Sequence, residues 1–136
     1  MMSRAFFGVA VALAGVAVAQ ASSRPELSGT WQGAMTERHG EKVQSYPMTL
    51  RFEGDRGFTT YAGPGCRGQL DRIAATPDGY TVYHEKIVKG RADAGGTCID
   101  GIVILSQARA TITLGWYASD RGEPVLASAI LTQAPD

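Results

Sequence analysis

The side chains in this 136-residue chain best suited to chemistry are His84 and Glu85, adjacent in the stretch 80–88, Tyr-Thr-Val-Tyr-His-Glu-Lys-Ile-Val. An imidazole beside a carboxylate suggests a general-base pair. Neighbours along a strand, however, point to opposite faces and cannot share a proton. His84 therefore reads as a solvated surface histidine, and His39, in a charged stretch, reads the same way. Glu85 shares a face with Thr81, Tyr83 and Ile87, while Val82, His84, Lys86 and Val88 form the other. The first face is the more aromatic and is expected to point inward. A carboxylate carried into an apolar interior must find a partner or be neutralised. Across the turn at Pro77-Asp78, Leu70, Arg72 and Ala74 fall on that same face, which brings Arg72 toward Glu85, with Arg67 as the second choice of partner. Such a pair is either a structural plug or the polar floor of a ligand cup. Tyr46, Tyr61, Tyr83 and Trp116 are the aromatic residues that could line such a cup, and they are equally expected as ordinary core.

Other chemistries find no support. The chain has no nucleophile elbow, no paired metal-binding histidine motif and no phosphate-cradling glycine loop. No enzyme activity, cofactor or metal is expected. Thirteen basic side chains balance thirteen acidic ones, and neither sign runs in blocks. That argues against a nucleic-acid surface or a polybasic membrane patch. Lys86, Lys89 and Arg91 are a local basic cluster that reads as a solvated loop.

The only two cysteines each sit in a glycine-rich corner, Gly63-Pro64-Gly65-Cys66-Arg67-Gly68 and Gly95-Gly96-Thr97-Cys98-Ile99-Asp100-Gly101. The chain opens with Met1-Met2-Ser3-Arg4, an uncharged run from Ala5 to Ala19, and small residues around Ala19 and Ala21. A basic start, an apolar middle and a small-residue exit describe a secretory signal peptide over 1–21. The run falls short of the roughly 20 apolar residues that a membrane span needs. Residues 22–136 then form one domain, periplasmic or secreted, and a cysteine pair in that compartment reads as a Cys66–Cys98 disulfide.

The elements that position these residues are short strands. Tyr46, Met48, Leu50 and Phe52 alternate with Pro47, Thr49, Arg51 and Glu53, the period of a half-buried strand. Pro47, lacking an N–H, should sit at an edge or bulge near the start of that strand. Glu37 to Lys42 reads as a turn, Gly54-Asp55-Arg56-Gly57 as a hairpin and Thr76-Pro77-Asp78-Gly79 as another turn. Ile102 to Leu105 reads as a buried run, and Ala110 to Tyr117 alternates with Ile112, Leu114 and Trp116 inward. Eight strands with a turn signal between each pair predict an all-β fold, an antiparallel up-and-down barrel, with a two-sheet sandwich as the alternative.

Leu27-Ser28-Gly29-Thr30-Trp31 resembles the first-strand motif of calycin barrels, the group of lipocalins and avidins, in which a glycine and a tryptophan close the barrel base. Gly57-Phe58-Thr59-Thr60-Tyr61 is similar to the third strand of avidin-like proteins. The polar lead-in Ser22-Ser23-Arg24-Pro25-Glu26 before that first motif also resembles the small periplasmic inhibitors of bacterial metalloproteases, whose tail plugs the protease cleft. The cysteine corners look like those of small extracytoplasmic bacterial β-domains. The expected protein is a monomeric, non-catalytic binding protein that takes a small amphipathic molecule in the barrel mouth or an extracytoplasmic protein partner. Protease inhibition through residues 22–26, or a structural role in the cell envelope, are the alternatives.

Overall fold

A computed structural model describes residues 27–135, together with Gly15. The stretch 22–26 and, apart from Gly15, the expected signal peptide lie outside the described residues. Eight strands follow one another: β1 (Gly29–His39), β2 (Lys42–Glu53), β3 (Arg56–Tyr61), β4 (Cys66–Ala75), β5 (Tyr80–Lys89), β6 (Gly101–Ala108), β7 (Thr111–Asp120) and β8 (Glu123–Gln133). Each pairs antiparallel with the next, and β8 returns to β1, so the sheet is a closed up-and-down barrel. The only helical turn among the described residues is a 3-10 turn at Ala92–Ala94.

The alternation read from β2 holds: Met48, Leu50 and Phe52 are buried and Tyr46 half-buried. Closure of the barrel explains three departures from the sequence reading. First, β1 runs through His39, because Glu37, Arg38 and His39 pair with β2 on one side and with Ala127, Leu126 and Val125 on the other. Only Gly40 and Glu41 remain in the turn. Second, Pro47 lies within β2 opposite Ala34, in a barrel that has no edge strand. Its carbonyl accepts from the Ala62 N–H at 3.1 Å, one residue past the end of β3. In an antiparallel ladder N–H and C=O of a residue point the same way, so the missing donor faces the place where β3 has stopped. Third, Ile104 is exposed and Ile102 half-buried, so β6 alternates like its neighbours. Among the described residues no second layer covers the outside of the barrel to bury that face.

The middle of the barrel is solid. Met35, Met48, Leu50, Leu70, Leu105, Ile112, Leu114 and Leu131 are all fully buried there. Burying a side chain of that kind stabilises the fold by about 1.5–3 kcal/mol. One glycine permits the tight closure. A Cβ on Gly33 would stand 2.4 Å from the Ile130 carbonyl oxygen, so β1 and β8 approach here as only a bare backbone allows.

The two ends of the barrel differ. At one, called here the Leu27 end, the chain enters and the β2–β3, β4–β5 and β6–β7 turns gather. The other carries the remaining turns and the Cys66–Cys98 disulfide, whose Cα atoms are 6.4 Å apart, and is called the clasp end. The loop leading to Cys98 is organised rather than loosely solvated. Arg91 pairs with Asp100 at 2.7 Å and with Asp93 at 3.0 Å, and also donates to the Ile87 carbonyl. Arg91 is therefore a loop brace, not part of a free basic cluster.

Candidate functional site

The barrel divides the sequence candidates into two groups. Glu85, Tyr46, Tyr61 and Trp116 meet at the clasp end, whereas Arg72 and Tyr83 line the Leu27 end. The expected approach of Arg72 to Glu85 does not occur. In the β4–β5 register Leu70 stands opposite Glu85 and Arg72 opposite Tyr83. A two-residue step along a strand is about 7 Å, and the Arg72 side chain is exposed at the far end. A bulge between Arg72 and Ala74 also takes Ala74 off the expected inward face: it stands opposite Val82, and Ala75 takes its place opposite Thr81. Arg67 is exposed and does not serve as the partner either.

Glu85 is instead held by neutral donors. It is 0% exposed. Its Oε2 accepts from the Thr59 and Tyr61 hydroxyls, each at 2.6 Å, and its Oε1 accepts from the Trp116 indole N–H at 2.9 Å. Three uncharged donors satisfy the carboxylate without bringing a second ion into the core. Burial raises the Glu85 carboxyl above its ordinary range, with the three hydrogen bonds acting against that rise and Asp100 adding to it. Burial, and then the same carboxylate, keep the Tyr61 hydroxyl protonated well above its ordinary value. Thr59 had no place among the sequence candidates. Its signal was a threonine on the inward face of β3, between Gly57 and Tyr61.

Two glycines make room for this cluster. A Cβ on Gly68 would meet the Thr59 hydroxyl at 2.4 Å and Glu85 Oε2 at 2.7 Å, and one on Gly101 would meet the Trp116 ring at 2.5 Å. The indole thus lies over bare backbone, where it can reach Glu85. Gly101→Ala is expected to destabilise the fold by about 1–3 kcal/mol through overpacking. Urea titration would measure this, and parental stability would show the ring is free to move aside.

Beyond Glu85 the clasp end narrows to a cup of about 100 Å³ with Glu37, Tyr46, Trp116 and Asp120 in its wall. The Tyr46 hydroxyl donates to Glu37 at 2.7 Å, and its ring meets Tyr61 edge-on with centroids 6.0 Å apart. Burial and the Glu37 carboxylate raise the Tyr46 hydroxyl far above its ordinary value.

The Leu27 end holds a larger cup of about 680 Å³. Its floor is apolar, with Phe52, Tyr83 and Leu105 buried, and Phe52 and Tyr83 lean together at 6.3 Å between ring centroids. Arg72, Arg109, Asp55 and Gln107 stand around it. Two guanidinium groups face one carboxylate there, and no ion pair among the described residues engages any of the three. Among the described residues no three His, Cys, Asp or Glu side chains are placed to hold a metal ion. No family model, curated protein or solved structure matches this chain, so the chemistry of both cups is argued from their own geometry.

Proposed function

We propose that this chain is an exported, non-catalytic, calycin-like binding protein that holds a small amphipathic molecule with an anionic head in the cup at the Leu27 end. One observation carries this reading: a cavity of about 680 Å³ joins an apolar floor to a rim bearing Arg72 and Arg109. Ligand sites are typically concave, mostly apolar and within that size range, with a few polar groups that fix orientation. A guanidinium recognises a carboxylate or phosphate by a charge-assisted, often bidentate contact. An acyl or aromatic tail would lie on Phe52, Tyr83 and Leu105, and the anionic head would meet the two arginines.

Calorimetric titration with decanoate, decyl phosphate and decyltrimethylammonium tests it. The two anions are expected to bind and the cation to bind at least tenfold more weakly. Arg72→Ala and Arg109→Asn should each weaken the anions by about tenfold, the size of one charge-assisted contact. Asparagine is chosen at 109 because that residue has φ 57°, which asparagine tolerates. Both side chains are exposed, so melting temperatures should hold within the range of surface substitutions. Equal binding of all three amphiphiles, or of none, would defeat the proposal.

One further observation favours protease inhibition as a second reading. Leu27, where the described barrel domain begins, lines the same cup. Deleting 22–26 would abolish inhibition of a secreted metalloprotease under that reading and would leave amphiphile binding in place under the first.

A further inference from the structure

The two cups carry opposite charge. Among the described residues no lysine or arginine lines the clasp-end cup, whereas Glu37, Glu85 and Asp120 all do. Among the described residues none of the three carboxylates pairs with a lysine or arginine, and the nearest basic group is His39, 3.6 Å from Asp120. Negative charge in a confined, partly apolar space calls for a counter-cation.

Acceptor capacity remains for one. An ionised carboxylate offers about four lone-pair sites. Glu85 is enclosed and already satisfied by three donors, so it adds negative potential beneath the cup and no open contact. Glu37 receives Tyr46 and Gln44 on Oε2, and its Oε1 accepts no hydrogen bond among the described residues. The wall between these carboxylates is aromatic, with Tyr46, Tyr61 and Trp116 around the cup. Ring faces attract cations by their quadrupole, and alkylated ammonium ions are the ones such walls suit best. Ligand sets for a metal ion are missing among the described residues. A volume of about 100 Å³ admits a head group and little beyond it.

We infer that the clasp-end cup is a second binding site, for a small organic ammonium ion seated beside Glu37 and Asp120 against the Tyr46 and Trp116 rings, with buried Glu85 beneath it. This site is independent of the Leu27-end cup, whose arginines would repel the same ion.

The chain has two indole N–H groups, and they report on different places. Trp116 donates to Glu85 in the clasp-end cluster, and Trp31 donates to the Ser28 carbonyl near the Leu27 end. Tetramethylammonium chloride titrated into the full chain, with potassium chloride at matched ionic strength as control, is expected to move the Trp116 indole resonance and leave Trp31 in place. A Trp116→Phe variant assigns the two signals. Glu37→Gln should weaken the titration by about tenfold, the loss of one charged contact, without changing the melting temperature, while Arg72→Ala should leave it unaltered. A Trp116 signal that stays still, an equal response to potassium, or full binding by Glu37→Gln would each overturn the inference.

Discussion

Glu85→Ala is expected to destabilise the barrel by about 3–5 kcal/mol, because it strands three buried donors and leaves a cavity at once. The Thr59 and Tyr61 hydroxyls and the Trp116 indole all converge on that one carboxylate. Glu85→Gln should cost less, about 1–2 kcal/mol. Its carbonyl can still accept from the two hydroxyls, but its amide would turn a donor toward the indole N–H. Urea titration at neutral pH gives the order alanine, glutamine, parent from least to most stable. A glutamine variant as damaged as alanine would mean that the hydrogen bonds are not what holds the cluster.

The same carboxyl predicts a pH dependence of definite sign. Burial raises its folded-state pKa above the ordinary value of 4.5. The folded protein therefore binds this proton more tightly than the unfolded chain does. The resulting stabilisation is complete below 4.5 and is lost as pH rises from there through the folded-state titration. Glu85→Gln has no such proton, so the parent should lose ground to it across that window. A parent-minus-variant difference that runs the opposite way, or stays flat, would contradict burial as the controlling influence on Glu85.

Breaking the Cys66–Cys98 bridge is the second large effect. The two residues are 32 apart in sequence, and closing a loop of that length is worth about 3–4 kcal/mol on the chain-entropy account. For a domain of this size that corresponds to a fall in melting temperature on the order of 15 °C. The loss should be uneven over the molecule. The Gly90 carbonyl still accepts from Thr97 and Cys98 backbone N–H groups at 3.1 and 3.0 Å, so the loop before β6 keeps local order. What reduction removes is the tie from that loop to the start of β4, at the clasp end. Scanning calorimetry of the Cys66→Ser, Cys98→Ser double variant measures the total. Hydrogen exchange should show the extra opening in 90–100 before it shows any at the Leu27 end. A uniform rise in exchange would mean the bridge constrains only the unfolded chain.

Strand order was legible because each strand carries its own period-two pattern and each turn its own glycine, proline or aspartate signal. Met48, Leu50, Ile112 and Leu114 were readable as inward for that reason. Which inward residues meet was not readable, because that depends on register between strands. The Arg72 and Glu85 case shows this. Their common face was correct, but pairing of Leu70 with Glu85 and of Arg72 with Tyr83 sets them two residues apart toward opposite ends, and the bulge beyond Arg72 turns Ala74 off that face. A bulge leaves no mark in hydrophobic alternation, and Ile73, an apolar residue turned to solvent, hides it further. Thr59 was missed because a threonine in a strand is ordinary; it gains its role only when β3 lies where its hydroxyl reaches Glu85. The limits of β1 were misjudged because the charges at Glu37 and His39 suggested a turn, whereas an open barrel end accepts charged side chains on its inward face.

The packed layer of leucine, isoleucine and methionine across the waist makes this barrel two shallow vessels set base to base instead of a tube. A solute that fills one vessel cannot travel through to the other or displace what sits there. Each rim can therefore be recut by substitution without disturbing the chemistry of its opposite. The two proposed ligands would therefore be carried together, each bound as it is alone.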